Sequence, residues 1–205
     1  MAKIKLAKTF IDLPTPRHAA VMNEIEDAKQ TDRGIAIVGA AYIDLVLREA
    51  ITAKFNVQDD KELLTSLFEN RGPLQDFASR IHVAFALGAC GRAAYNDLRK
   101  IKDIRNAFAH SAQAIDFQHE EIAQLCADLW YPKTIHITNR PDPQTPRERY
   151  IRAVGLMTDL FHMDRLRKER GMPGEFLIMA SGPPIVRAKA NKKKWRVNKR
   201  RRNAV

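Results

Sequence analysis

Residues 97–111 read Asp-Leu-Arg-Lys-Ile-Lys-Asp-Ile-Arg-Asn-Ala-Phe-Ala-His-Ser, and this stretch decides the fold that we expect. Its large apolar residues recur every three or four positions, which is the spacing of one face of an α-helix. They are Leu98, Ile101, Ile104 and Phe108. The pattern predicts a core helix from Arg92 to about Ser111, which packs through this stripe against the rest of the molecule.

Several polar residues of the same helix lie away from the stripe. With a turn of about 100° per residue, Asp103, Asn106 and His110 share the far face. Arg105 falls about 40° from Ile101, within the stripe. A guanidinium among apolar side chains needs a partner, because an unpaired buried charge costs a large amount of free energy.

Three environments for Arg105 stay open. Its long side chain reaches the rim of the stripe, or it pairs with an acid such as Asp44 or Glu49, or it binds an anionic ligand in a cleft or subunit interface. Asp44 has two possible partners. It lies four residues before Arg48, which is the spacing of an intrahelical ion pair, and the alternative is that it pairs with a charge on another helix. The structural ion-pair candidates are therefore Asp44, Arg48 and Arg105.

The end of this helix also offers catalytic groups. RNA cleavage through a 2′-hydroxyl needs a base, an acid and a cation, and histidine titrates near neutral pH. Arg105, Asn106 and His110 would supply this set without a metal. Arg105 and His110 point about 140° apart on a straight helix, so a joint site needs a break at the helix end or a second copy of the helix across a dimer. The structural alternative for His110 is a favourable interaction with the helix dipole.

The rest of the chain up to residue 130 has the pattern of further helices with short connections. Asp32 is expected to open the second helix. The predicted helices run from Pro16 to about residue 29, from Arg33 to about Phe55, over a short segment capped by Asp59 or Asp60, from Leu74 to about Leu87 after Pro73, and over residues 116–130. The second of these is apolar nearly all round, as expected of a helix in the middle of a bundle.

The pattern changes after residue 130. Residues 133–138 alternate polar and apolar side chains, as a short strand does, and Thr145-Pro146-Arg147-Glu148 is a capping box that begins a helix ending near Gly171. We divide the chain into an N-terminal extension (1–14), an all-α domain (15–171) with an irregular loop at about 131–144, a linker (172–186) and a basic tail (187–205). The predicted fold class is all-α: a bundle of about six or seven helices with an irregular C-terminal segment and a disordered basic tail.

The composition argues against several classes of protein. The 205 residues are 45% hydrophobic, which suffices for a globular core. The two cysteines, Cys90 and Cys126, form no Cys-x-x-Cys pair, and no histidine lies at a ligand spacing, so we predict no disulfide framework, metal or cofactor. No apolar run approaches the roughly 18 residues of a membrane span, so we expect a cytoplasmic protein without a membrane partner.

The positive charge is concentrated at the C-terminus. Residues 187–205 hold 10 of the 35 basic residues and no acid, whereas the other residues balance 25 basic against 24 acidic side chains. The tail predicts a nucleic-acid-binding arm in which cations bind phosphates and an aromatic residue stacks on bases. These residues are Arg187, Lys189, Lys192, Lys193, Lys194, Trp195, Arg196, Lys199, Arg200, Arg201 and Arg202. The alternatives are a solubilising tail and, with less support, a membrane-surface contact.

Several motifs follow one another in order between about residues 30 and 130. They are Asp32-Arg33-Gly-Ile-Ala-Ile-Val-Gly-Ala-Ala-Tyr-Ile-Asp44, Gly72-Pro73-Leu74 with Phe77 and Arg80-Ile81, Ala84-Phe-Ala-Leu-Gly88, and Ile101-Lys-Asp-Ile-Arg-Asn-Ala-Phe-Ala-His110. This series resembles the mannitol operon repressor family. The resemblance implies an all-α bundle, a dimer or larger oligomer, and a role in transcriptional repression. The family has no obvious helix-turn-helix, so the resemblance does not name a DNA-reading element.

Arg105-Asn106-x3-His110 is separately similar to the Arg-x4-His signature of HEPN-type ribonucleases. In those enzymes two helix ends meet across a dimer and form a metal-independent site. This second resemblance implies catalytic roles for Arg105, Asn106 and His110.

Three functions follow from these observations. The leading hypothesis is a dimeric transcriptional regulator, not an enzyme, that binds DNA or RNA mainly through residues 187–202. The alternative is an HEPN-like endoribonuclease, as found among toxins. The third is an oligomeric module that binds a protein partner through its apolar helices.

Overall fold

The computed structural model describes residues 4–6, 16–137, 140–169 and 171, which form eight helices and two short strands. The helices are α1 (Pro16–Glu26), α2 (Asp32–Thr52), α3 (Lys61–Phe68), α4 (Phe77–Ala86), α5 (Arg92–His110), α6 (Glu120–Ala127), α7 (Trp130–Thr134) and α8 (Pro146–Glu169), and the strands are β1 (Ile4–Leu6) and β2 (Ile135–Ile137). The predicted all-α bundle is confirmed, with eight helices in place of six or seven. Among the described residues, no helix has the length and apolar content of a membrane span.

Helix α2 lies at the centre of the bundle, as its apolar sequence predicts. It packs against α1, α4, α5 and α8. Gly39 lets α8 approach closely, since a Cβ at this position would lie 3.0 Å from Val154 and 3.2 Å from Tyr150. The buried Tyr150 hydroxyl donates a hydrogen bond of 2.8 Å to the carbonyl oxygen of Ala36. Helices α2 and α8 therefore form the most extensive helix–helix interface of the described residues.

The start of α2 differs in detail from the prediction. Thr31, not Asp32, is the N-cap, and its side chain accepts a hydrogen bond from the backbone N–H of Gly34. Asp32 is thereby available for longer-range contacts. Its Oδ2 accepts from the N–H of Phe117 at 2.9 Å, and its Oδ1 lies 2.7 Å from Arg147. This carboxylate joins α2 to the segment before α6 and to the first turn of α8.

The predicted start of α4 near Leu74 is wrong. Asp76 caps α4, and its Oδ1 accepts a hydrogen bond of 2.9 Å from the N–H of Ser79. Leu74 is buried just before the helix, where its N–H donates to the carbonyl oxygen of Leu67. A Cβ at Gly72 would lie 2.2 Å from a backbone oxygen of α3, so this turn packs directly on α3. Because this turn contacts α3, the next helix begins at Phe77, three residues after the predicted position.

The predicted helix over residues 116–130 is shorter than expected at both ends, and another helix follows it. Helix α6 begins at Glu120 and ends at Ala127, and α7 begins at Trp130. The break is held by Asp97 of α5, whose buried carboxylate accepts hydrogen bonds from the N–H groups of Trp130 and Tyr131. A side chain from another helix thus caps α7.

A parallel pair of strands closes one end of the described fold. The β character predicted for residues 133–138 is present in β2, at Ile135–Ile137. Its partner is β1, in which Ile4 lies opposite Ile135, so part of the predicted N-terminal extension pairs with the body.

The final helix has the capping box that the sequence predicts. The Oε2 atom of Glu148 accepts hydrogen bonds from the N–H groups of Thr145 and Gln144, and the N–H of Glu148 donates to Thr145 Oγ1. Helix α8 then runs to Glu169. The linker (172–186) and the basic tail (187–205) lie outside the described residues.

Candidate functional site on the outer face of α5

The inner face of α5 is the predicted apolar stripe. Leu98, Ile101, Ile104 and Phe108 are all 0% exposed. The buried arc also includes Asp97, which sequence analysis did not single out. Burial raises the pKa of Asp97, and the nearby Lys100 ammonium and the backbone N–H donors oppose that rise.

Arg105 lies at the edge of the buried arc and is exposed. Its Nη1 donates a hydrogen bond of 2.9 Å to Asn106 Oδ1, and within the described residues it forms no salt bridge. Glu49, one candidate partner, instead lies 3.4 Å from Arg17 and 3.4 Å from Arg165. The side chain lies at the rim, because a guanidinium at an edge position can reach solvent, whereas the binding of an anionic ligand stays a prediction.

Asp44, the other candidate partner of Arg105, is bound by Arg80 of α4. Two nitrogens of Arg80 lie 2.8 Å from the two oxygens of Asp44, which is a bidentate arrangement. The intrahelical pair with Arg48 is absent, since Arg48 turns to Glu69 at 3.1 Å and stacks over the Phe68 ring. Burial raises the pKa of Asp44, and Arg80 opposes that rise. The interpretation that Asp44 answers a charge on another helix is thus confirmed.

His110 is exposed and is the last residue of α5. Just beyond the C-terminus of this helix lies Arg33 of α2, whose Nη2 donates to the carbonyl oxygens of Ser111 and Gln113 at 2.9 and 3.1 Å. A cation at a helix C-terminus is favourable, so Arg33 adds a second basic side chain near the end of α5, beside His110. His110 is left available to solvent at the end of the outer face.

The outer face of α5 therefore presents a polar set at the surface of one chain. Asn106 holds Arg105, His110 lies beyond them, and Asp103 pairs with Lys102 at 2.9 Å. On one straight helix Arg105 and His110 diverge by about 140°, so a joint site on them requires a second copy. In the described part of the chain, no group of three or more His, Cys, Asp or Glu side chains is placed to hold a metal. The basic tail, the other predicted site, lies outside that part.

The model of the mannitol repressor family, MtlR, matches residues 20–167. The chain belongs to the mannitol repressor family. The match extends beyond the series of motifs at residues 30–130 and includes most of α8.

A solved structure resembles this family member over most of its length. The X-ray structure of the MtlR–HPr complex from Escherichia coli aligns with a TM-score of 0.50 and 21% identity, and covers 73% of this chain and 96% of that chain. At this identity the likeness supports the fold. No curated protein shows significant sequence similarity to the chain.

The motifs that carry the family resemblance have structural roles in this mannitol repressor family member. Asp32 and Arg33 hold the segment between α5 and α6, and Arg80 binds Asp44. The exposed Arg105 and His110 of these motifs, and the half-buried Asn106 that holds Arg105, are not explained by packing.

Proposed function

We propose that the chain is a transcriptional regulator of the mannitol repressor type, which acts in the cytoplasm as a dimer or larger oligomer. It associates with nucleic acid through residues 187–202. Family membership supports the regulatory role. The distribution of charge carries the nucleic-acid part, since residues 187–205 contain ten cations and no acid while the rest of the chain has a net charge of +1 (25 basic minus 24 acidic).

The tail supplies affinity through phosphate contacts, which do not read sequence. Each phosphate neutralised on a duplex releases condensed counterions and adds about 0.9 to the slope of log K against log salt concentration. Trp195 lies within the charged run, where an indole can stack on an unpaired base. Selection of a particular operator then belongs to other parts of the assembly.

The experiment uses the full-length chain with the tail lysines and arginines replaced by glutamine. We expect nucleic-acid binding to weaken strongly and its salt dependence to flatten, as measured by fluorescence anisotropy at several salt concentrations. The matched control is a full-length chain with the same tail residues in scrambled order, which keeps the charge and should bind as well as the wild type. Unchanged binding by the glutamine variant would exclude the tail as the nucleic-acid arm.

A protein partner is part of the same proposal. The structure of a fold relative is a complex of MtlR with HPr. We assign contact with an HPr-type protein to the helical body, because the family model matches residues 20–167 and does not include the basic tail.

A second candidate function is metal-independent RNA cleavage. The exposure of Arg105 and His110 at the end of α5, with the half-buried Asn106 beside Arg105, favours it, because these polar side chains form no ion pairs in the described residues. In a dimer that brings two α5 ends together, His110 would move the proton and Arg105 would stabilise the phosphorane charge.

Incubation with single-stranded RNA in EDTA tests this second function. If the chain is an endoribonuclease, the wild type should cleave the RNA. The His110→Ala variant should then lose activity by at least the hundredfold typical of a general acid or base. His119→Ala is the matched control, since His119 is also exposed but lies at the start of α6. Absence of cleavage by the wild type, or equal cleavage by both variants, would exclude the enzyme.

A further inference from the structure

A cavity of about 550 Å³ opens between α1, the segment that precedes α8 and the first four turns of α8. It lies away from the outer face of α5 and shares no residue with it. Its apolar lining includes Met22, Ile151 and Leu156, and its remaining wall is rich in charged and amide side chains. A half-enclosed site with an apolar surface and several convergent polar groups is the usual form of a small-molecule site.

The carboxyl groups of this cavity already have partners. Glu26 lies 3.2 Å from Arg140, and Asp142 lies 2.8 Å from His136. Asp159 lies 3.2 Å from the buried His18. A fourth, Glu148, belongs to the capping box of α8 described above. These pairs fix the wall in place and leave only the outer lone pairs of the carboxylates for a ligand.

Arg152 is the group whose hydrogen bonding is incomplete. Its Nη2 donates to the carbonyl oxygen of Pro141 at 3.0 Å, whereas its Nη1 is shielded from water and has no partner. Burial lowers the pKa of Arg152. A guanidinium N–H without an acceptor is costly, and a ligand oxygen in the cavity would supply the acceptor once the side chain turns toward it.

The charge of the wall decides what kind of acceptor this is. Two arginines face four carboxyl groups. Burial raises the pKa of Asp159 to about 7, so three or four negative charges oppose two positive charges near neutral pH. A phosphate or carboxylate would meet no excess of positive charge, and an ammonium group would offer Arg152 no acceptor, whereas a hydroxyl oxygen can accept from Arg152 and donate its own proton to a carboxylate.

We propose that this cavity binds a small neutral polyhydroxylated molecule, of the sugar or sugar-alcohol class. The hydroxyl groups of the ligand accept hydrogen bonds from Arg152 and from the exposed amide of Asn23, and they donate to the carboxylates. The C–H face of the ligand packs on Met22 and Ile151. This site goes beyond the proposed function and does not depend on the basic tail, so its success or failure is separate from that of nucleic-acid binding.

Isothermal titration calorimetry of the full-length chain tests the proposal. The neutral probes are sorbitol, mannitol and glucose, and the anionic probes are inorganic phosphate and acetate. We expect saturable heat with one-to-one stoichiometry for at least one neutral probe at millimolar concentration, and none for the anions. Calorimetry is preferred to thermal shifts because polyols at high concentration stabilise any folded protein by exclusion from its surface.

Two variants locate the site. Arg152→Met should weaken binding of the neutral probe at least tenfold, and the urea midpoint checks that the variant stays folded without the hydrogen bond from Arg152 to Pro141. Asn23→Ala, at an exposed position that the fold tolerates, should weaken it several-fold. Arg149→Met is the matched control on the same helix outside the cavity, and it should bind as the wild type does.

Three results would overturn the proposal. They are the absence of saturable heat with all three neutral probes, tighter binding of phosphate or acetate than of any neutral probe, and binding by Arg152→Met that equals binding by Arg149→Met.

Discussion

His18 of α1 and Asp159 of α8 form a pair in which His18 Nε2 lies 3.2 Å from Asp159 Oδ1. Burial, with a contribution from His162, lowers the pKa of His18 from 6.5 to about 4. Burial raises the pKa of Asp159 from 3.8 to about 7, and the nearby Arg140 opposes that rise. Between pH 4 and 6.5 the folded pair is neutral, whereas the unfolded chain has a charged histidine and a charged carboxylate. Both states hold one proton in this range, so the pair itself adds little pH dependence to stability.

Separate substitution of the two residues should reveal opposite slopes. In Asp159→Asn, the unfolded state binds the extra proton on His18 between pH 4 and 6.5, so stability rises with pH relative to the wild type. In His18→Gln, the folded state binds it on Asp159 between pH 4 and 7, so stability falls as pH rises. Each slope is at most about 1.4 kcal/mol per pH unit. Urea unfolding at pH 4.5, 5.5 and 6.5 measures both, and slopes of the same sign would contradict the neutral pair.

At the scale of elements, Asp97 joins α5 to α7. Its side chain is 0% exposed, and it accepts from Trp130 and Tyr131 while Lys100 lies 3.3 Å away. Lys100 also donates to the carbonyl oxygen of Asp128. One carboxylate therefore satisfies the start of a five-residue helix that has no cap of its own.

Asp97→Ala should destabilise the protein by about 3 kcal/mol, because it leaves the N–H groups of Trp130 and Tyr131 without their acceptor and removes the carboxylate that pairs with Lys100. Asp103→Ala is the matched control, since Asp103 lies on the same helix with an exposed side chain paired to Lys102. It should change stability by less than about 0.5 kcal/mol. Urea unfolding followed by circular dichroism compares the two. Equal losses would mean that Asp97 does not hold α7.

The elements that sequence predicts well are those with local signals. The stripe of α5, the apolar run of α2 and the capping box of α8 each lie within a few residues, and each is present in the structure. The wrong boundaries depend on contacts between residues that are distant in the sequence. Asp97 accepts a hydrogen bond from Trp130 and so fixes the start of α7, and β1 exists because Ile4 pairs with Ile135. No local pattern encodes such pairs.

The candidate sites follow the same division. The spacing of Arg105 and His110 could be read from sequence, but the exposure of Arg105 could not, because an edge position allows a long side chain to turn either way. The cavity was missed altogether, since its residues come from three segments. One signal was present: Asp159 interrupts the apolar run of α8, and an acid within such a run is usually buried and partnered.

At the scale of the whole molecule, the chain divides into a nearly neutral body and a basic tail. Charges farther apart than about 10 Å are largely screened at 0.1 M salt, so the tail should not alter the stability of the body. The tail has one tryptophan and few other apolar residues among its cations, which is too little to bury a core of its own. Body and tail should therefore act as separate binding units.

Binding of Escherichia coli HPr and binding of nucleic acid should accordingly respond to different substitutions. The full-length variant with a glutamine tail should bind HPr as the wild type does and unfold within about 0.5 kcal/mol of it, while its nucleic-acid binding is lost. The scrambled tail should leave all three properties unchanged. Calorimetric titration with HPr, urea unfolding and anisotropy measure them in one buffer. Loss of HPr binding in the glutamine variant would place the partner contact on the tail. A change in the free energy of unfolding above about 1 kcal/mol would mean that the tail packs on the body, because surface substitutions away from such contacts stay well below that value.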